Sequence, residues 1–395
     1  MQFLQLFSEA ELTTDLFSRV KVTMRQKKII LVSGSGDTVA WFRVEFLKKF
    51  IDESYKVYVL APGIREDLKL ELLDLGIEFI YIKLHRKGFN IINLLQSIRQ
   101  ISSIFKLLKP DLIFSYTHKA ILAASIASLI SGHRNMFSMI TGTGHIFDNE
   151  TLKENLIKMI GSYSLKIALS LNKLVFFQNP DDKILFESHG IVINQKSRIV
   201  NGSGVNLEKF RVTKLPSEPI FLCMARLIKS KGILEYAKAA QIVRDVNPHA
   251  RFLLYGYPDE HIDSIDENEI INEWKDKYGI EYKGYSSNPA ETINESSIFV
   301  LLSYKEGTPR VVLEAMAMGR PIITTDTPGC RETVINESNG FLVPKGDYLI
   351  AASSMKSLLD EKLREKMGEQ SRQYCESRFN VHQVNDSLFK EMGVN

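Results

Sequence analysis

Lys305–Thr325 reads KEGTPRVVLEAMAMGRPIITT, and its interpretation constrains the rest of the chain. Gly307-Thr308-Pro309 stops any helix arriving from the left, because proline fixes φ and has no N–H to donate. Val311–Met318 then has helical composition, and Pro321–Thr325 that of a short buried strand. Just upstream, Ile298–Leu302 (IFVLL) is another buried strand. Strand, loop, helix and strand in succession make the repeating unit of a parallel sheet covered by helices. Two glutamates, Glu306 and Glu314, lie eight positions apart across the loop–helix junction. One reading makes Glu306 a first-turn charge favouring the helix dipole and Glu314 a solvated helix residue. The other is a ligand held along the helix N-terminus, with one carboxylate at the loop mouth and one two turns in.

The same unit recurs on both sides. Lys28–Ser33 (KIILVS) is a strand closed by Gly34-Ser35-Gly36, and Val39–Phe50 reads as a helix. Lys56–Leu60, Phe79–Ile82, Leu112–Ser115, Lys173–Phe177 and Ser197–Val200 read as further strands, with Ala120–Ile130 helical. The pattern restarts with strands Pro219–Met224, Ala250–Tyr255 and Ile280–Lys283 and the helix Gly232–Val246. Gly, Asn, Pro and Ser collect over Asn201–Glu218, which sets a domain break there. The expected division is an N-terminal extension over 1–26, a first α/β domain over 27–200 and a second over 201–378. A C-terminal helix over 379–395 is expected to pack back on the first domain. Two open parallel sheets in series make a cleft, and ligands bind at the carboxyl ends of such strands.

At 395 residues, the chain is too long for one ordinary core. Its 44% hydrophobic and 25% charged residues are those of a globular protein, and a net charge of +3 gives no nucleic-acid signal. The charge is uneven. Residues 27–200 carry about seven more basic than acidic residues, and 201–395 about four more acidic than basic. One domain thus suits an anionic partner. The three cysteines, Cys223, Cys330 and Cys375, have neither metal-like nor disulfide-like spacing, which fits a reducing cytoplasm. No apolar run approaches the ~20 residues of a membrane span.

Arg226 closes strand Pro219–Met224, and Lys231-Gly232 opens the next helix. A guanidinium and an ammonium beside helix N–H groups suit a diphosphate, although ordinary loop solvation explains them equally well. At the mouth of the opening stretch, the N–H groups of Thr308, Arg310 and Val311 are left over at the helix start after Pro309. Glutamates accept well from sugar hydroxyls. One can hold a ribose and the other a hexose, with a diphosphate between them.

Arg226–Gly232, followed by Glu306 and Glu314 across seven residues, resembles the retaining glycosyltransferases of family 4. The later segments Glu314-Ala315-Met316-Ala317-Met318-Gly319-Arg320-Pro321 and Pro328-Gly329-Cys330-Arg331-Glu332 are similar to bacterial enzymes that extend lipid-linked oligosaccharides. Among these, the resemblance leans to undecaprenyl-diphosphate-linked N-acetylgalactosaminyltransferases and covers Lys27 to the end. It implies the GT-B fold, two Rossmann-like domains facing across a cleft, and transfer from a UDP-sugar to a lipid-linked saccharide of an O-antigen, capsule or related glycan. It also implies roles. Arg226 and Lys231 would bind the donor diphosphate and Glu314 the ribose. Glu306 would bind the transferred sugar, assisted by Gly307, Thr308, Pro309 and Arg310. Tyr285, after a strand, would lie near the uracil or would be a packed aromatic. His118 would contact the transferred sugar and help catalysis.

Gly34 and Gly36 offer flexible backbone to a phosphate or an acceptor. They do not form a dinucleotide fingerprint, because Val39 stands where a third glycine belongs. Lys119, Gly142 and Gly144 complete an acceptor side. Arg43 would meet an acceptor phosphate or would be a surface helix arginine. No aspartate–any–aspartate triplet occurs, so neither metal nor cofactor is expected, and no side chain stands out as a covalent nucleophile. Front-face attack by the acceptor hydroxyl follows from the family resemblance. Phe89–Lys109 and Thr151–Leu174 are basic and amphipathic. They read as helices packed on the sheet, or as a surface resting on the anionic inner leaflet of the plasma membrane. Two other functions share the fold: a sugar-nucleotide 2-epimerase and a non-catalytic sugar-nucleotide-binding subunit.

Overall fold

The computed structural model describes residues 25–84, 90–144, 152–258 and 263–394, without the side chains of 152–158 and 160. Most of the expected extension over 1–26, and the end residues Phe89 and Thr151 of the two amphipathic stretches, lie outside the described residues.

The first sheet has seven parallel strands: β1 Lys28–Val32, β2 Lys56–Ala61, β3 Ile77–Tyr81, β4 Leu112–Tyr116, β5 Met136–Ile140, β6 Leu174–Phe177 and β7 Ser197–Ile199. Their order is β3-β2-β1-β4-β5-β6-β7. Ile29 of β1 stands opposite both Val57 of β2 and Leu112 of β4. Ile29 through Val32 have no exposed surface, which is why β1 reads as a continuous apolar run rather than an alternation. The second sheet has six parallel strands: β8 Ile220–Met224, β9 Arg251–Tyr255, β10 Ile280–Tyr282, β11 Ile298–Leu301, β12 Ile322–Thr325 and β13 Gly340–Val343. Their order is β10-β9-β8-β11-β12-β13. Each sheet reverses direction once, between β1 and β4 and between β8 and β11. These reversals are the switch points where open α/β sheets bind ligands.

Sequence and structure diverge in three places. The expected helix Val39–Phe50 is two helices, Gly36–Phe42 and Val44–Asp52, broken at Arg43, whose φ of −127° is not helical. Strand β5 (MFSMI) escapes the apolar pattern because Ser138 interrupts it, yet all five residues are buried. The Ser138 hydroxyl donates to Asn172 Oδ1 at 2.7 Å, which allows it inside. Strand β13 begins at Gly340, where a Cβ would lie 1.8 Å from the Ile322 carbonyl oxygen; the glycine permits the close approach but weakens the strand signal.

Two chain crossings join the domains, and they lie side by side. The Val205 N–H donates to the Phe379 carbonyl at 2.8 Å and the Val381 N–H to the Val205 carbonyl at 3.0 Å. A Cβ on Gly204 would sit 2.6 Å from Val381 Cα, so the crossings touch only because a glycine with φ +68° stands there. Past the second crossing, helix Val381–Met392 lies on the first domain. Phe389 packs against Phe46 and Phe50, with ring centroids 5.9 and 4.3 Å away. Leu388, Phe389 and Met392 belong to the same core as Ile29, Val57 and Phe114.

Candidate active site

On the second domain, the carboxyl ends of β8 and β11 present the two motifs at one place. The β8 end runs through Arg226 and a tight turn Lys229–Lys231 into helix Ile233–Arg244. Gly232, at φ +67°, joins them where a Cβ would lie 2.0 Å from the Leu302 carbonyl oxygen at the end of β11. This glycine lets the two motifs touch. Lys231 Nζ ion-pairs with Glu306 Oε1, and both side chains are mostly buried. Pro309 caps helix Arg310–Ala317. One turn in, Arg310 Nε donates to Glu314 Oε1 at 3.0 Å. Glu314 is 8% exposed, so it is not a solvated helix residue. Burial pushes its carboxyl up, against the pull of Arg310 and Lys209. The carboxylates expected to hold a donor's sugar and ribose are therefore occupied by the chain's own cations.

The first domain faces this loop from the ends of β4, β5 and β6. Thr117 adopts φ +71°, an outlier for a β-branched residue and of the kind that clusters at functional sites. Its Oγ1 accepts from the Gly34 N–H at 3.1 Å. This places His118 at the first position of helix His118–Ser131. Burial pushes the His118 imidazole down to about 4. The hydrogen bond to the Gly142 carbonyl works the other way, and nearby Lys305 lowers it further. His118 is thus neutral at physiological pH, with a ring N–H given to the Gly142 carbonyl. Gly144, at φ +58°, brings its backbone so close that a Cβ would sit 2.9 Å from His118 Cε1. The Gly144 carbonyl accepts from Lys305 Nζ at 2.6 Å. Lys119, beside His118, is half-buried, and burial lowers its ammonium pKa.

The two faces meet at Gly307. The Asn179 side-chain N–H donates to the Gly307 carbonyl at 2.7 Å. A Cβ on Gly307 would fall 2.3 Å from the Thr141 carbonyl oxygen and 2.6 Å from Gln178 Oε1. The Thr308 hydroxyl donates to the Gln178 carbonyl at 3.0 Å, so it is turned to the domain junction rather than toward a sugar. Arg331 bridges Asp181 across the same junction at 3.1 Å.

Other expectations are corrected. The Gly34–Gly36 turn has no N–H to offer a phosphate: Gly34 donates to Thr117, Ser35 to Ser33 Oγ, and Gly36 to the Gly63 carbonyl. Gly36 is needed for packing, since a Cβ there would sit 2.6 Å from that carbonyl oxygen. Arg43 is no surface residue; it is 3% exposed. Tyr285 is no packed aromatic either. It is 49% exposed and meets Tyr257 edge-on at 5.8 Å. Asn179, Gln178, Thr141 and Lys305 were missed. Asn179 had a signal: QNPDD follows a strand and places an Asn cap before a first-turn proline.

Two Rossmann-like domains closing on each other through the carboxyl ends of their strands, with cations and paired glutamates at the seam, make this chain a GT-B glycosyltransferase. Residues 28–179 match the "Glycosyl transferase 4-like" family and residues 205–374 the "Glycosyl transferases group 1" family. The chain is a family 4 glycosyltransferase built from these two domains. It is 27% identical to the N,N'-diacetylbacillosaminyl-diphospho-undecaprenol alpha-1,3-N-acetylgalactosaminyltransferase of Campylobacter jejuni, over 88% of this chain and 93% of that one. It is 24% identical to the UDP-Gal:alpha-D-GlcNAc-diphosphoundecaprenol alpha-1,3-galactosyltransferase of Escherichia coli, over 87% and 93%. In fold it is similar to Anabaena HepE solved with UDP and glucose, with a TM-score of 0.76 at 16% identity, covering 94% of this chain and 100% of that one. Sucrose-phosphate synthase from Thermosynechococcus elongatus superposes with a TM-score of 0.73 at 18% identity, over 93% and 98%.

Proposed function

We propose that the chain is a retaining glycosyltransferase that moves an N-acetylhexosamine, N-acetylgalactosamine first, from a UDP-sugar to an undecaprenyl-diphosphate-linked saccharide in the building of a bacterial surface glycan. The observation that carries this reading is the Lys231–Glu306 pair, where the diphosphate-binding and sugar-binding candidates touch, next in sequence to Lys305, which reaches the Gly144 carbonyl and the neutral His118 of the opposite domain. The relatives named above act on undecaprenyl-diphosphate-linked acceptors, and a structural neighbour binds UDP.

On this reading the donor exchanges partners with the resting site. Its diphosphate takes Lys231 and Arg226, its sugar hydroxyls take Glu306, and its ribose takes Glu314. The bond from the anomeric carbon to the diphosphate oxygen breaks, and the developing charge falls on Arg226, Lys231 and the N–H groups at the start of helix Arg310–Ala317. The acceptor hydroxyl attacks from the same face and passes its proton to the departing diphosphate. His118, kept neutral, accepts from a sugar hydroxyl and adds no positive charge beside the oxocarbenium-like centre. These cations can stabilise the leaving group without a metal or cofactor, so transfer should persist in EDTA.

The acceptor would be met at the inner membrane surface. Among the described residues no helix is long and apolar enough to cross a membrane. Helix Ile91–Leu108 packs Ile98, Ile101 and Phe105 inward but exposes Ile91, Ile92 and Leu95, and helix Leu152–Ser170 exposes Tyr163 and Ile167. Co-sedimentation with anionic vesicles at low salt tests this; none at low or high salt counts against it. The main test is turnover of a panel of UDP- and GDP-sugars with EDTA present and bacterial lipid extract as acceptor. Transfer from UDP-N-acetylgalactosamine or UDP-N-acetylglucosamine supports the reading. Transfer only from GDP-sugars, or only with added divalent metal, overturns it.

A further inference from the structure

Arg43 is the buried charge that the scheme above does not use. It stands at the break between helices Gly36–Phe42 and Val44–Asp52, 3% exposed. Among the described residues no carboxylate pairs with it. Its Nε has no hydrogen-bond partner, and its Nη2 lies against the thioether of Met139, a poor acceptor for a cation. The guanidinium sits 5.4 Å from the centroid of the Tyr116 ring. A charge from the other domain that acts on it, Arg310, has the same sign. Arg310 lies over the ring of Phe42, the residue preceding Arg43, at 6.0 Å, and gives its carboxylate contact to Glu314. Burial and Arg310 together lower the Arg43 pKa to about 10, against the pull of Tyr116. An ionised guanidinium left in such a place is strongly unfavourable unless an anion completes it.

We infer that Arg43 and Arg310 form an anion subsite spanning the two domains, which takes a phosphate group of a bound substrate. Two guanidiniums from opposite walls of a cleft can each give a planar pair of N–H donors to one phosphate, which also draws the domains together. Met139 and Gln178 line the approach: the Gln178 side-chain N–H points at the Met139 sulfur at 3.7 Å, and its Oε1 borders Gly307. The phosphate has two possible sources, the nucleotide diphosphate and the diphosphate of the lipid-linked acceptor. This inference rests on the glycosyltransferase reading above, and the test keeps the two apart.

The test compares wild type with Arg43→Met, which keeps volume and removes charge. Wild-type turnover must come first; its absence tells against the function proposed above, not against the subsite. Removing a buried charge that no carboxylate among the described residues pairs with raises Tm in ligand-free protein, by about 2 °C or more. Loss of a charge-assisted contact lowers the matching affinity about 10- to 100-fold. If UDP binding by calorimetry weakens while uridine binding holds, the phosphate is the donor's. If UDP binding holds and the variant loses the preference for a diphosphate-linked acceptor over a neutral alkyl glycoside of the same saccharide, it is the acceptor's. Arg43→Lys should recover part of whichever is lost. A lower Tm, with transfer to charged and neutral acceptors falling alike, makes Arg43 a packing residue and overturns the inference. So does a variant that binds UDP and transfers to both acceptors as wild type does.

Discussion

Adding one methyl group at Gly307 tests whether the two domains react in the closed arrangement seen here. In Gly307→Ala the new carbon would lie 2.3 Å from the Thr141 carbonyl oxygen and 2.6 Å from Gln178 Oε1. A carbon–oxygen contact wants roughly 3.3 Å or more, so the walls must part by about 1 Å. Neither side yields easily. Thr141 presents backbone, and on the far side a Cβ on Gly329 would already lie 2.3 Å from the Gly307 carbonyl oxygen. Overpacking of this kind costs about 1–3 kcal/mol. On the proposed reading, displacing His118 by about 1 Å from the Glu306–Arg310 loop costs about 100-fold in rate. Arg226, Lys231 and Glu314 are all on the second domain, so UDP affinity by calorimetry should change little while kcat falls. Gly161→Ala is the control, since a Cβ there meets nothing within 4 Å. If Gly307→Ala keeps wild-type kcat, the contact to Thr141 is no part of the reacting state and the closed-cleft argument fails.

Other perturbations follow from the same geometry. Glu314→Ala strands Arg310, which is mostly buried beside Arg43; stability in urea should fall by about 3–5 kcal/mol and UDP affinity about tenfold. Lys231→Ala should lower transfer about 100- to 1,000-fold with circular dichroism unchanged, and a loss below tenfold would remove Lys231 from the leaving-group role. His118 titrates near 4 when folded and near 6.5 when unfolded, so the unfolded chain binds the extra proton first. Its contribution to stability is therefore full above pH 6.5 and lost as pH falls toward 4, by up to about 3 kcal/mol. Asp182, pushed up to about 6 mainly by burial, has the opposite slope between about 3.8 and 6. Urea midpoints at pH 7 and 4.5 should thus drop less in His118→Asn than in wild type, and wild-type kcat should show no inflection near pH 6.5 from this residue. Phe389→Ala should cost about 3–5 kcal/mol, seen by calorimetry as a lower first-domain transition with the second unmoved.

The second domain was more legible in sequence than the first. Lys231, Glu306 and Glu314 lie on segments where a strand end, a turn residue and a helix start are adjacent in the chain, so spacing alone places them. The facing wall is assembled from three separate connections, and its decisive contacts are long-range. Asn179 reaches Gly307 across 128 positions, and Lys305 reaches Gly144 across 161. Arg43 was open to two readings because one buried side chain in an amphipathic stretch looks like a surface charge until the helix is seen to break at it. Gly36 misled in another way. A glycine beside a phosphate and a glycine beneath a neighbouring loop have the same letter, and only the Gly63 carbonyl tells them apart.

The paired crossings at Val205 and Phe379–Val381 set an order of events during synthesis on the ribosome. The second domain lies between two portions of the first, so its sheet is complete while the last helix is still in the exit tunnel. Until Phe389 emerges, the face formed by Phe46 and Phe50 stays uncovered, and the domain made first is finished last. A nascent chain paused within the last helix would thus present the completed second sheet beside an apolar face open to chaperones.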